Sequence, residues 1–246
     1  MMNVTPVVKQ LLIMNIIFFI GSQFVLTADS YFALYYFESP MFKFWQPLTH
    51  MFMHGGIMHI AFNMFALYSF GSNLEYIWGG KKFLFFYISC GLGAALIHSL
   101  ANYYQFHSGL DILIENGYNK IDIINLLSEG KYNLHWQEIL IGSDFNNFVQ
   151  SFLVPAVGAS GAIYGLLAAF AFLFPNAVLS LMFIPVPIKA KYFVPVLVLF
   201  DLFSGVTGNT LMGGGIAHFA HVGGALFGII MVWFWKKNQF NDKRWN

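Results

Sequence analysis

The sequence predicts an all-α protein that crosses a bilayer six times. Two observations carry that prediction. Charged residues make up 9% of the chain and hydrophobic residues 58%, where an ordinary soluble domain has roughly 25% charged residues. So few charges cannot cover a water-facing surface, and lipid must solvate much of the molecule. The apolar residues also fall into charge-poor runs near 20 residues, the length a helix needs to cross roughly 30 Å of hydrocarbon. These runs are residues 10–28, a stretch within 48–73, 83–104, 152–174, 192–208 and 212–235. The chain of 246 residues therefore reads as a single membrane domain, 1–246.

Each run has its own character. The first follows Lys9 and could pass for a signal peptide, but residues 27–29 are a poor small-x-small cleavage match, so it is read as a helix. The second, fourth and sixth are rich in Gly, Ala, His and Ser. The fifth contains one acid, Asp201. Residues 174–191, with Pro175, Pro185 and Pro187, read as a turn. Residues 105–150 form a loop too long for a simple connector, and 121–127 has the partly amphipathic spacing of a short helix lying on the membrane surface.

Lysine and arginine placement sets the expected orientation. Six crossings put Lys9, Lys81, Lys82, Lys189, Lys191, Lys236, Lys237, Lys243 and Arg244 on one side, and Lys43, Lys120 and Lys131 on the other. The first side is expected to be the cytoplasm, which gives a multi-pass protein of a cell plasma or inner membrane with both termini cytoplasmic. A net charge of +1 gives no reason to expect a nucleic-acid partner. Cys90, the single cysteine, excludes an intramolecular disulfide and a cysteine metal cluster.

Polar residues inside lipid are costly, and each needs a reason. On the fourth run, Pro155 and Gly158 delay helix formation, so Ser160 falls near a helix N-terminus where backbone N–H groups are unpaired and the dipole is positive. A serine there can attack a carbonyl while its own N–H faces the oxyanion. The plainer reading is that Gly158, Gly161 and Gly165 only permit close helix packing. On the sixth run, Gly224 and Gly228 form a GxxxG pair, and His221 lies one turn away on nearly the same face. If the fourth run packs on that face, His221 comes within reach of Ser160 and can take its proton. No acid is obviously placed to orient the imidazole, so a Ser–His dyad is expected. Asp201 is read as a structural hydrogen-bond acceptor, with proton relay the lesser alternative, and His218 as an interhelical or water-contacting residue. On the second run, His59 and Asn63 are four apart and share a face. They are either oxyanion donors or polar glue between helices; His54 is structural. A metal or haem site on the four histidines is weak, because His218 and His221 lack the spacing and glutamate of HExxH.

Together, GASGAIYG around Ser160, AHFAHVGGALFG around His221 and HGGIMHIAFNM around His59 and Asn63 resemble the rhomboid family of intramembrane serine proteases. Their order on the second, fourth and sixth runs matches too. The resemblance implies a six-transmembrane-helix rhomboid bundle. It implies Ser160 as nucleophile, His221 as general base, and His59 and Asn63 as donors on the oxyanion side. It places the backbone of Gly158 at the border of the substrate site and the ring of Tyr164 under His221. It also implies transmembrane protein substrates of a single span, cut through an acyl-enzyme, and no metal or cofactor. Where the family often carries Trp-Arg in the first loop, this chain has Trp45–Gln46, which puts the arginine's loop-fixing role in question. The alternatives are an inactive relative that escorts membrane clients and a transporter with a histidine-lined path. The first would normally lack the serine or histidine; the second would need more buried acids than Asp201.

Overall fold

The computed structural model describes residues 4–25, 27–181, 184–207 and 217–238. Helix α1 (Pro6–Phe24) opens the chain with proline in its first turn, where the missing N–H is no loss. Its N-terminus is satisfied from a distance. Glu75, buried in another helix, accepts hydrogen bonds from the Thr5 hydroxyl at 2.5 Å, Val7 N–H at 2.9 Å and Val8 N–H at 2.8 Å. A short helix α2 (Ala28–Phe32) and a loop lead to α3 (Gln46–Thr49), which tightens into a 3-10 turn, His50–Phe52.

The second apolar run does not form one helix from its start. The chain breaks at residues 53–56, and α4 (Ile57–Ala66) begins after the two glycines. It continues through a π-helical turn, Leu67–Gly71, into α5 (Ser72–Trp78). The break separates His54 from His59 and sets His59 in the first turn of α4.

Helix α6 (Gly80–Glu115) is far longer than its apolar run of 83–104. Beyond the run, Phe106, Leu110 and Leu113 recur at helical spacing and are buried. They nucleate a second core with α7 (Lys120–Ser128), α8 (Trp136–Ile139) and α9 (Asp144–Leu153), closed by Tyr36, Ile123, Leu127, Trp136, Phe148 and Phe152. The expected loop at 105–150 is therefore mostly helical. Helix α7 lies where a surface helix was expected, but it buries Ile123 and Leu127 against this cap.

The serine-bearing helix α10 (Ser160–Leu173) is short. Its 14 residues rise about 21 Å, less than the roughly 30 Å hydrocarbon layer. The six residues before it are not helical. Ala156 instead pairs with Leu34 through two backbone hydrogen bonds of 2.8 and 2.9 Å. The fourth run thus enters as extended chain and becomes helix part-way.

The all-α expectation needs one correction. The turn expected at 174–191 contains an antiparallel hairpin, β1 (Val178–Leu181) with β2 (Ile184–Lys189). Val178 and Ile188 favour extended backbone. Proline is tolerated because both strands of a two-stranded hairpin are edges.

Helices α11 (Ala190–Thr207) and α12 (His218–Lys237) complete the described fold. The ends of the fifth and sixth runs at 208 and 212–216, and Lys243 and Arg244, lie outside the described residues. Among the described residues four helices, α1, α6, α11 and α12, are long and apolar enough to cross a membrane. The main core lies between α6, α10 and α12, and its fully buried side chains include Phe83, Phe86, Tyr87 and Leu166.

Candidate active site

Glycine faces bring α10 and α12 together. A Cβ built on Gly228 would lie 2.7 Å from the Gly165 carbonyl oxygen, and one on Gly224 would overlap the Gly161 carbonyl oxygen. Only hydrogen fits at either position. The backbones therefore touch, and side chains beside the contact on the two helices face each other. One such pair is Ser160 and His221, with Oγ 2.8 Å from Nε2.

The local structure aims both groups. Ser160 is the first residue of α10, where the opening N–H groups have no helical partner. The chain before it is pinned at Gly158, whose N–H donates to the His50 carbonyl at 2.9 Å. Gly158 has φ +124, a conformation that disfavours side chains. A Cβ there would also lie 2.7 Å from His59 Nε2 and 3.6 Å from Ser160 Oγ. Gly158 thus leaves a small space bounded by the serine hydroxyl and the His59 ring.

His59 presents a donor to that space. The Gly55 N–H points at His59 Nδ1 at 3.4 Å, so Nδ1 acts as acceptor and the neutral ring carries its proton on Nε2. Asn63, one turn along α4, is buried, and its Nδ2 has no partner among the described residues. Buried amide donors are normally paired, so this one stands out. His54 packs edge-on against His59 with centroids 5.1 Å apart. Both its nitrogens are buried without a partner among the described residues.

His221 is held on two further sides. Its ring stacks on Tyr164, with centroids 4.2 Å apart and planes 10° from parallel. Its Nδ1 lies 3.1 Å from Asp201 Oδ1. The expectation that no acid orients His221 is therefore corrected. Asp201 sits on α11 facing α12, and the same carboxylate accepts from the Tyr164 hydroxyl and from His218 Nδ1 at 2.6 Å. The sequence displayed Asp201 as an isolated acid in an apolar run, but the partner it faces, twenty residues on, depends on how α11 packs. His218 makes the interhelical bond expected of it. Asp201, His218 and His221 also bring ligand atoms within 4.8 Å of one another, enough to hold a cation. Both histidine Nδ1 atoms, however, are turned onto one carboxylate oxygen, which is hydrogen-bonding geometry.

Gln46 answers the question raised by the missing arginine. It is fully buried, and its Oε1 accepts from Tyr35 N–H at 3.3 Å and Lys43 N–H at 3.1 Å. Its Nε2 donates to the carbonyls of Met41 at 3.0 Å and Ser30 at 3.4 Å. A neutral amide ties the first loop together from inside. Trp45 adds a bond from its indole N–H to the Tyr31 carbonyl at 2.8 Å.

Comparison with known proteins places the chain in a family. The family model for the Rhomboid domain matches residues 41–114 and 133–238; the unmatched stretch between them includes α7. Rhomboid protein 1, mitochondrial, of Saccharomyces cerevisiae is 26% identical over 186 residues, covering 76% of this chain and 40% of the relative. The presenilin-associated rhomboid-like protein, mitochondrial, of Homo sapiens is 25% identical over 205 residues, covering 81% of this chain and 41% of the relative. Rhomboid protease GluP of Bacillus subtilis is 37% identical over 54 residues, 22% of this chain and 11% of the relative. The chain thus spans about 40% of the length of the mitochondrial relatives. Those names overturn one expectation. The relatives aligned over three quarters or more of the chain are mitochondrial proteins, so assignment to a cell plasma or inner membrane with cytoplasmic termini does not stand. A multi-pass membrane protein does. On the match of its domain across most of its length, this chain belongs to the rhomboid family.

Proposed function

We propose that the chain is an intramembrane serine endopeptidase that cuts single-span membrane proteins through an acyl-enzyme. The observation that carries this reading is the 2.8 Å approach of Ser160 Oγ to His221 Nε2 at the N-terminus of α10, a helix preceded by non-helical chain. In this reading the chain crosses the membrane six times, with α4–α5 and the extended entry to α10 completing the two crossings that are not single long helices.

The chemistry proceeds as follows. A substrate helix unwinds locally, since its own hydrogen bonds shield its carbonyls. Ser160 Oγ attacks a carbonyl carbon as its proton passes to His221 Nε2. The oxyanion is met by the Ser160 N–H, the His59 Nε2–H and the Asn63 amide, and Gly158 supplies the room. The intermediate collapses, the C–N bond breaks, and His221 returns the proton to the leaving amine. Water then attacks the acyl carbon as His221 takes its proton; the C–Oγ bond breaks, His221 returns the proton to Ser160 Oγ, and the acid is released.

Support comes from family membership, from the protease activity printed in the name of the Bacillus subtilis relative, and from the retention of both Ser160 and His221. The test is cleavage of a purified single-span model substrate in detergent by the parent, Ser160→Ala and His221→Ala. The variants should lose cleavage. Variants that cut as well as the parent would end the assignment.

A further inference from the structure

An ionisable side chain inside a membrane helix is expensive and calls for partners. Asp201 is 3% exposed and has three. Tyr164 donates to Oδ2, while His218 and His221 both direct Nδ1 at Oδ1. Tyr164 and His218 would satisfy the carboxylate if its task were only to join α10, α11 and α12. The third donor is the group that faces the serine.

What Asp201 adds follows from what the other contacts on His221 leave open. Stacking on Tyr164 fixes the plane of the imidazole. It does not distinguish the ring from its flipped form, which exchanges nitrogen for carbon in the same plane. Nor does it decide which nitrogen carries the proton. A carboxylate at Nδ1 decides both. An ionised carboxylate only accepts, so Nδ1 bears the hydrogen and the neutral ring leaves Nε2 bare toward Ser160. His218 and His221 are three apart on α12 and so reach the same point on α11.

We infer that Asp201 is a positioning residue for the Ser160–His221 pair, which extends the expected dyad to a hydrogen-bonded set of three. It holds His221 in the Nδ1–H form, and it stays ionised to stabilise the imidazolium formed when Nε2 takes the serine proton. Tyr164 and His218 hold the carboxylate in register. This inference rests on the proteolytic reading of the site.

The test uses the full chain in detergent micelles, with a fluorophosphonate as the probe. The probe phosphorylates an activated serine, forming an O–P bond and expelling fluoride, and so needs no protein substrate. Asp201→Asn keeps the shape and one acceptor oxygen but removes the obligate acceptor. Its maximal labelling rate should fall about 10²-fold or more, while the half-saturating probe concentration stays within twofold and the unfolding temperature stays close to the parent's. Nitrogen NMR of selectively labelled histidine should show His221 as the Nδ1–H tautomer in the parent and as a mixed or reversed tautomer in Asp201→Asn. A purely structural role would move neither signature. A folded Asp201→Asn labelled within threefold of the parent rate would overturn the inference. If that variant does not fold, the parent spectrum decides: an Nε2–H tautomer at His221 overturns the inference and an Nδ1–H tautomer upholds it. A parent that takes no probe at Ser160 would instead overturn the proteolytic reading, a separate failure.

Discussion

Replacing Gly224 with alanine tests whether backbone contact between α10 and α12 is what sets the distance from serine to histidine. The new Cβ would overlap the Gly161 carbonyl oxygen. It would also lie 2.7 Å from the Gly161 carbonyl carbon, where ordinary contacts begin at 3.4 Å. These are backbone atoms of a helix, and no side chain can swing aside. The carbonyl oxygen is the tighter contact, and the helices must part by about 1.2 Å or more to relieve it. Ser160 precedes Gly161 directly, and His221 lies one turn from Gly224. The 2.8 Å contact between Oγ and Nε2 then opens toward roughly 4 Å, past useful hydrogen-bond length. Displacements near 1 Å cost on the order of 10²-fold in rate, and overpacking costs about 1–3 kcal/mol. The expected result is a cleavage rate roughly 10- to 100-fold lower with a lower unfolding temperature. Gly21→Ala is the control, because nothing lies within 4 Å of a Cβ there. The assay pairs model-substrate cleavage with thermal unfolding in one detergent. Parent-level cleavage by Gly224→Ala would refute the reasoning.

Three further outcomes are expected. Asn63→Ala should slow turnover by about 10²- to 10³-fold, as loss of an oxyanion donor does, with the fold intact; an unchanged rate removes Asn63 from that role. Gln46→Ala leaves the N–H groups of Tyr35 and Lys43 and the carbonyls of Met41 and Ser30 without their shared partner. Hydrogen exchange across residues 30–46 should rise, with stability falling by about 1–3 kcal/mol; unaltered exchange would show that other contacts hold the loop. Glu75→Ala removes the acceptor for Thr5, Val7 and Val8. It should fray the start of α1 and lower the unfolding temperature, and parent-like exchange at Val7 and Val8 would refute the long-range cap.

Much of the site could be read from residues close together in the chain. His59 and Asn63 share a face because a helix repeats every 3.6 residues, and the same period puts His221 near the Gly224–Gly228 face. Pro155 and Gly158 forecast a late helix start at Ser160. The cap was harder to see, because α6 continues past its apolar run as an amphipathic helix. Phe106, Leu110 and Leu113 are buried among polar neighbours, and a search for unbroken apolar runs stops short of them. The hairpin at β1–β2 was hidden by its prolines, which mark a turn in most contexts.

Composition and local periodicity by themselves determined that this chain lives in lipid and which residue types each helix presents. Those properties follow from solvent and from neighbours along the chain. Tertiary structure alone decided which acid meets His221, how the Gln46 amide ties the first loop together and that Glu75 caps a helix 67 residues or more away. Such contacts depend on the rotation and depth at which whole helices pack. Between α10 and α12 backbone-to-backbone glycine contacts set both, and no short window of sequence contains them.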